Sequence, residues 1–127
     1  MRDALKHFII ATLALALSSC LDPCGTTLLS EVRSPDGRNK AAVFIFGCGA
    51  TTRDNLCVAI IPAKDPLPRS GNIFQAEYRE PVSVRWENDS HLVVTGESNS
   101  DVRHKTVVFH GITISYEARA STSTPSR

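Results

Sequence analysis

AAVFIFGCGATTRDNLCVAII, residues 41–61, decides the fold class. Two apolar runs, AAVFIF (41–46) and CVAII (57–61), flank a knot of small and polar residues that carries Cys48 and ends at Cys57. Neither run alternates with polar residues. Both are read as strands that are apolar on two faces, and they belong at the centre of a sheet.

Outward from this pair the chain keeps a period of two. Val82, Val84 and Trp86 alternate with Ser83, Arg85 and Glu87, and Ile112, Ile114 and Tyr116 alternate with Thr113, Ser115 and Glu117. These are half-buried strands with one wet face. Phe74, Ala76 and Tyr78 suggest another strand, and KTVVF (105–109) one more. Turn residues punctuate them at Pro35-Asp36-Gly37, Asn88-Asp89-Ser90 and His110-Gly111. PAKDPLPRSGN (62–72) holds three prolines and reads as a surface loop. No convincing helical period follows the leader. The expectation is an all-β fold, a small antiparallel meander or sandwich of about 7–8 strands.

SPDGRNKAAVF (34–44) and WENDSHLVVTG (86–96) each read as a turn followed by an apolar strand, about 52 residues apart. SPDG and W-x-x-D-S-x-L are similar to the hairpins of bacterial β-propeller blades, but a propeller needs about four or more blades of four strands. The chain is too short for that. Two related meanders packed face to face, or one strongly coiled sheet, fit its length, and hairpins that merely look alike remain the plainer alternative.

SPDG (34–37), the apolar strand, CGATT (48–52), GNIF (71–74) and VSVRW (82–86) together resemble a family of small bacterial lipoproteins of unknown function. The resemblance covers roughly residues 24–117. It implies an all-β extracytoplasmic domain and brings no known reaction. Two positions depart from it. Gly47 stands where a polar or charged residue is expected, and Cys57 is extra.

The first residues give an address. Arg2 and Lys6 form a short basic n-region, diluted by Asp3, and Phe8–Leu17 is an apolar stretch of ten residues. A bilayer of about 30 Å needs roughly 20 apolar residues, so this stretch fits a signal peptide instead. Leu17-Ser18-Ser19-Cys20 resembles a bacterial lipobox. That resemblance implies cleavage between Ser19 and Cys20, with Cys20 carrying diacylglycerol and a further acyl chain. Leu21 follows the anchor cysteine where lipoproteins held at the inner membrane often have aspartate, so the periplasmic face of the outer membrane is the expected location. The layout is therefore a signal peptide (1–19), a lipid-anchored arm with the first strand (20–33), a β domain (34–117) and a flexible tail (118–127).

Without the leader the chain has 108 residues, 12 basic and 12 acidic, enough for one modest core. The absence of basic surplus argues against nucleic acid as a partner and against a polybasic lipid-binding segment. Three cysteines follow Cys20, and an odd number leaves one thiol over. Cys24 lies 12 residues before Asp36 and Cys48 lies 11 after Gly37. An antiparallel hairpin across that turn brings the two ends together, so Cys24–Cys48 is the expected bridge, with Cys57 a small buried hydrophobe. Cys48–Cys57, across the GATTRDNL loop, is the rival pairing.

Chemistry-bearing residues are sparse. A reactive thiol needs a helix N-terminus or a cationic neighbour, and nothing local supplies one to Cys48. No CxxC or HxxxH spacing prepares a metal site, and no cofactor motif is present. His91, His104 and His110 are scattered, and the latter two are expected at the exposed ends of one strand. Thr51, Thr52, Arg53 and Asp54 are the candidates for a polar pocket beside the Gly-rich turn, where free N–H groups could hold an anion; a solvated loop is the plainer reading. Glu77, Glu80 and Glu87 read as solvated strand faces, and Trp86 as core packing. Arg79, Arg85, Arg103 and Lys105 are expected along one sheet face, neutralised by Glu77, Glu80, Glu87 and Asp101. The expected function is a non-catalytic envelope lipoprotein that reaches the membrane through its lipid and binds an envelope protein or a wall component. The alternatives are an inhibitor of a cell-wall hydrolase, whose loop motif is missing here, and an enzyme with a loop thiol.

Overall fold

The computed structural model describes residues 23–49, 52–96 and 102–119. The expected signal peptide, the expected cleavage site Ser19–Cys20 and nearly all of the expected tail lie outside the described residues. The described chain forms nine strands: β1 (Gly25–Arg33), β2 (Asn39–Gly47), β3 (Asn55–Pro62), β4 (Phe74–Glu77), β5 (Ser83–Asn88), β6 (His91–Thr95), β7 (Val102–Lys105), β8 (Val108–Phe109) and β9 (Ile112–Glu117). No helix occurs among the described residues. A five-stranded sheet in the order β1-β2-β3-β4-β7 packs on a four-stranded sheet in the order β5-β6-β9-β8. The all-β expectation holds, with nine strands where seven or eight were expected.

The two apolar runs do lie at the centre. β2 and β3 pair antiparallel along their whole length, from Asn39 opposite Pro62 to Phe46 opposite Asn55. Their inward side chains, Ala41, Val43, Leu56, Val58 and Ile60, join Leu92, Val94, Ile112 and Ile114 of the second sheet in the main core. The outward side chains, Ala42, Phe44, Cys57, Ala59 and Ile61, form a second cluster, with Leu67 packed against it. The proline-rich segment read as a surface loop is thus also a cover for the sheet's far side. Beyond β4, the Asn72 side chain stands in for a strand: Ile60 N–H donates to its Oδ1 at 2.9 Å, and its Nδ2 donates to Ile60 O at 2.7 Å.

Two expectations are corrected. KTVVF (105–109) is not one strand, because the chain changes sheets within it. β7 pairs with β4 in the first sheet, whereas β8 pairs with β9 in the second. Thr106 N–H donates to Ile73 O, and the Val107 carbonyl accepts from Ile114 N–H, so the two residues at the crossing face opposite layers. The excursion also makes the second sheet mixed: β9 returns beside β6 running parallel to it, which no meander does. The same topology separates the basic residues expected on one face. Arg85 is on the second sheet, while Arg103 and Lys105 are on the first.

The two turns of the suspected repeat sit side by side. Asp36 N–H donates to Asp89 Oδ1 at 2.8 Å, and the Trp86 indole N–H donates to Val32 O at 2.9 Å. Trp86 packs partly buried against the main core, as its register predicted. Within SPDG, the buried Ser34 hydroxyl donates to Asp36 Oδ1 at 2.6 Å, Arg38 N–H donates to the same oxygen at 3.0 Å, and Gly37 takes φ of 73°. That backbone conformation suits glycine and few other residues. SPDG is thus a self-capped turn that braces one sheet against the other.

Asp36 titrates below the ordinary aspartate range, because of the Ser34 hydroxyl first and the Arg38 N–H second. The folded chain therefore binds fewer protons there than the unfolded chain. Its contribution to stability is complete above the unfolded aspartate pKa of about 4 and is lost as pH falls through the lower folded value. Asp36→Ala is expected to lower stability in urea denaturation at neutral pH. The difference from wild type should shrink in strong acid.

Candidate functional site

The chain's chemistry-bearing residues collect at the end of the sandwich where β1 begins and β2 ends. Cys24 and Cys48 form a disulfide there. Cys24 directly precedes β1 and Cys48 directly follows β2, and the ladder between them runs from Gly25 opposite Gly47 to Arg33 opposite Lys40. The pairing expected from the spacing is the one formed. Cys57 is free, fully buried in the outer cluster, and burial pushes its thiol pKa up, a weak backbone hydrogen bond from Gly71 opposing this. The bridge takes up Cys48, so the only described thiol is one that solvent cannot reach.

The proposed polar pocket divides in two. Thr51 lies outside the described residues. Thr52 Oγ1 donates to Gly49 O at 3.3 Å and closes the turn. Just before β3, Arg53 and Asp54 part company and border different clefts at this end of the first sheet. The Asp54 carboxylate lies over Gly47, in the space a Cβ at that position would occupy. This is the physical reason for a glycine where a polar residue was expected: the polar group arrives from across the loop. Asp54 also borders an open depression of about 580 Å³, with Pro23, Thr27, Ile45 and Thr52 around it.

Arg53 turns to the outer face and holds Glu77 at 2.7 Å. Glu77, read as a solvated carboxylate, has a side chain only 15 % exposed. A second cleft opens beside this ion pair, about 430 Å³, lined by Phe46, Cys48, Thr52, Arg53, Asn55 and Arg103. Asn55 Oδ1 is buried and receives no hydrogen bond within the described residues. Such orphaned acceptors are rare in folded proteins and ask for an explanation. Neither Phe46, Asn55 nor Arg103 was singled out as part of a binding site from sequence. The signal lay in their register, which brings together residues as many as 57 positions apart.

The remaining charges are held elsewhere. Arg85 pairs with Glu117 and Glu87, and Arg119 lies 3.9 Å from Glu80 while donating to Pro81 O at 2.8 Å. His104 Nε2 contacts Asn72 O at 3.1 Å and Thr106 Oγ1 at 3.1 Å. His110 occupies the β8–β9 turn at φ of 47°, its ring against Phe109. Among the described residues, no three His, Cys, Asp or Glu side chains gather where a metal ion could be held.

Closing a loop of this size is expected to stabilise the domain by about 3 kcal/mol, a large share of the roughly 5–15 kcal/mol typical of a small domain. Cys24→Ser with Cys48→Ser should lower the denaturation midpoint accordingly. Non-reducing peptide mapping should recover a 24–48 linkage. The Cys57 thiol should resist a water-soluble maleimide in the native protein and react once it is unfolded.

Compared with family models, curated proteins and solved structures, the chain matches none.

Proposed function

We propose that this chain is a non-catalytic envelope lipoprotein, a β-sandwich module that is anchored by an acylated Cys20 and binds a component of the wall or an envelope protein. The observation that carries this reading is the Cys24–Cys48 bridge. It lies four residues after the lipobox cysteine, so the chain passes from anchor to sandwich through a cross-linked strand. Four extended residues reach at most about 14 Å, which keeps the bridged end close to the bilayer. Disulfides persist outside the cytosol, in agreement with export. The outer leaflet of the inner membrane is the alternative location, and Leu21 favours the outer membrane.

An enzyme with a loop thiol finds little support, since Cys48 is bridged and Cys57 is buried. Inhibition of a wall hydrolase is a binding function and shares the same anchor. What favours the broader reading is a cleft on paired strands, lined by Phe46, Arg53, Asn55 and Arg103, with no free thiol open to it among the described residues.

Metabolic labelling with radioactive palmitate should mark the wild-type protein, which should fractionate with membranes. Cys20→Ala should lose the label and be released or accumulate as the longer precursor. A variant that labels and fractionates like wild type would overturn the anchor.

A further inference from the structure

The end of the sandwich opposite the disulfide is built by the turns at 34–38, 62–65, 88–91 and 109–112, and all of them lie within the described residues. β1 runs from Gly25 beside the bridge to Arg33, nine residues, so this far end stands about 26 Å beyond the bridge. It is the part of the domain farthest from the proposed anchor.

Three cations from three segments meet there. Arg33 ends β1, Arg38 follows the SPDG turn, and Lys64 sits in the turn after β3. They surround an open depression of about 530 Å³, with Pro62, Ala63 and Asp65 completing its wall. Ala63 N–H donates to Arg38 O at 2.9 Å, and Asp65 N–H donates to Pro62 O at 3.0 Å. These bonds tie the two turns together, so the Arg38 and Lys64 side chains start from fixed backbone. Pairing with Lys40 fixes Arg33 in the same way. All three side chains are exposed, so a ligand can reach them. None forms an ion pair among the described residues, whereas Lys40, Arg53, Arg85 and Arg119 hold Glu31, Glu77, Glu117 and Glu80. Of the nearby carboxylates, Asp65 is on the rim. Asp36 attracts Arg38 but is turned to the Ser34 hydroxyl and the Arg38 N–H, and Asp89 accepts from Asp36 N–H; neither lines the depression. Three positive charges therefore face one negative charge, in a chain whose formal net charge is only +1.

We infer that this far end is a docking site for a carboxylate-rich segment of another envelope protein; this rests on the binding reading above and names the partner's chemistry. Two guanidinium groups can each take a carboxylate through paired charge-assisted bonds. A compact phosphate fits less well, because phosphate sites draw on nests of free backbone N–H groups. Here the N–H groups of Asp36, Gly37, Arg38, Ala63 and Asp65 are all spent within the turns. Cations held apart on separate segments suit several carboxylates spaced along a chain. A second groove, about 380 Å³, shares Pro62 as a wall and continues past the half-buried Phe109. An apolar side chain of the same segment can lie in it, which favours a protein segment over an acidic glycan.

The test uses the full chain in non-ionic detergent and fluorescence anisotropy of a labelled hexapeptide of alternating glutamate and leucine. Its competitors are a glutamine–leucine peptide, a glutamate–serine peptide, a galacturonic acid oligomer and tripolyphosphate. The glutamate–leucine peptide should bind on the order of tenfold more tightly than the glutamine–leucine one at low salt, and the difference should fade near 0.5 M salt, where the screening length is only about 4 Å. Arg33→Gln, Arg38→Gln and Lys64→Gln should each weaken it by about threefold, as expected of exposed charge pairs, and Asp65→Asn should tighten it. Each variant should keep the wild-type urea midpoint, so that the change read is one of binding. The glutamate–serine peptide should bind more weakly than the glutamate–leucine one. Equal binding of the glutamine–leucine peptide overturns the inference, as does binding indifferent to all three cation variants. Tripolyphosphate or the galacturonic acid oligomer binding as tightly as the glutamate–leucine peptide overturns the protein segment as the partner. The titrations are made in solution and do not depend on where the protein resides, so a failed anchor and a failed docking site give separate results.

Discussion

The β2–β3 ladder is apolar on both faces, and the rest of the molecule is arranged by that constraint. A single sandwich interface covers only one side of a sheet. Here the inward side chains are met by β6 and β9, and the outward ones by a loop that folds back with Leu67 on the sheet. Each large apolar side chain removed from water contributes about 1.5–3 kcal/mol, so leaving Phe44 and Ile61 uncovered would forfeit much of a small domain's stability. The residues with which the outer layer is otherwise built, Ala42, Cys57 and Ala59, are small. A single loop can therefore lie close to the strands, and the Asn72 amide can pair with Ile60 as a strand would.

β1 depends on the same ladder and has few other supports. It is the edge of the five-stranded sheet, and Leu28, Leu29 and Val32 are 47 %, 40 % and 37 % exposed. Exposed apolar edges invite pairing with other chains. Several features here blunt that tendency. The register slips at Leu29, Glu31 and Arg33 put charge on the edge, and Lys40 reaches Glu31 at 3.4 Å. The disulfide fixes one end of β1 and the Trp86 hydrogen bond to Val32 fixes the other. Both supports act on the strand through which the proposed anchor would load the domain.

Much of the fold was legible because period-two alternation reports local chemistry. Val82, Val84 and Trp86 declare which face of β5 is dry, and the uninterrupted run 41–46 declares that β2 is covered twice. Alternation says which face is buried but not which strand lies alongside. The parallel β6–β9 pair and the break between β7 and β8 depend on where a crossing chain lands, which is a tertiary choice. The cysteine pairing was legible because a hairpin converts sequence distance into spatial distance about its turn. The cleft was not. Phe46, Asn55, Glu77 and Arg103 become neighbours only once four strands are in register, and each looks ordinary in its own segment. Gly47 makes the same point in reverse: its meaning lies in Asp54, seven residues away across a loop.

The position of the cleft follows from the covering loop. Leu67 and Phe46 both pack against the apolar rows, and the outward side chains change there from Phe44 and Cys57 to Phe46 and Asn55. At that boundary the sheet no longer demands cover, and an aromatic ring is left beside polar groups. The floor stays rigid because strands paired on both sides hold it and the disulfide closes its rim. Binding groups held on such elements keep their geometry better than groups on loops. Rigidity and accessibility usually oppose one another in so small a domain. Here the cleft is lined by residues of paired strands, Phe46 and Asn55 among them, rather than by the covering loop.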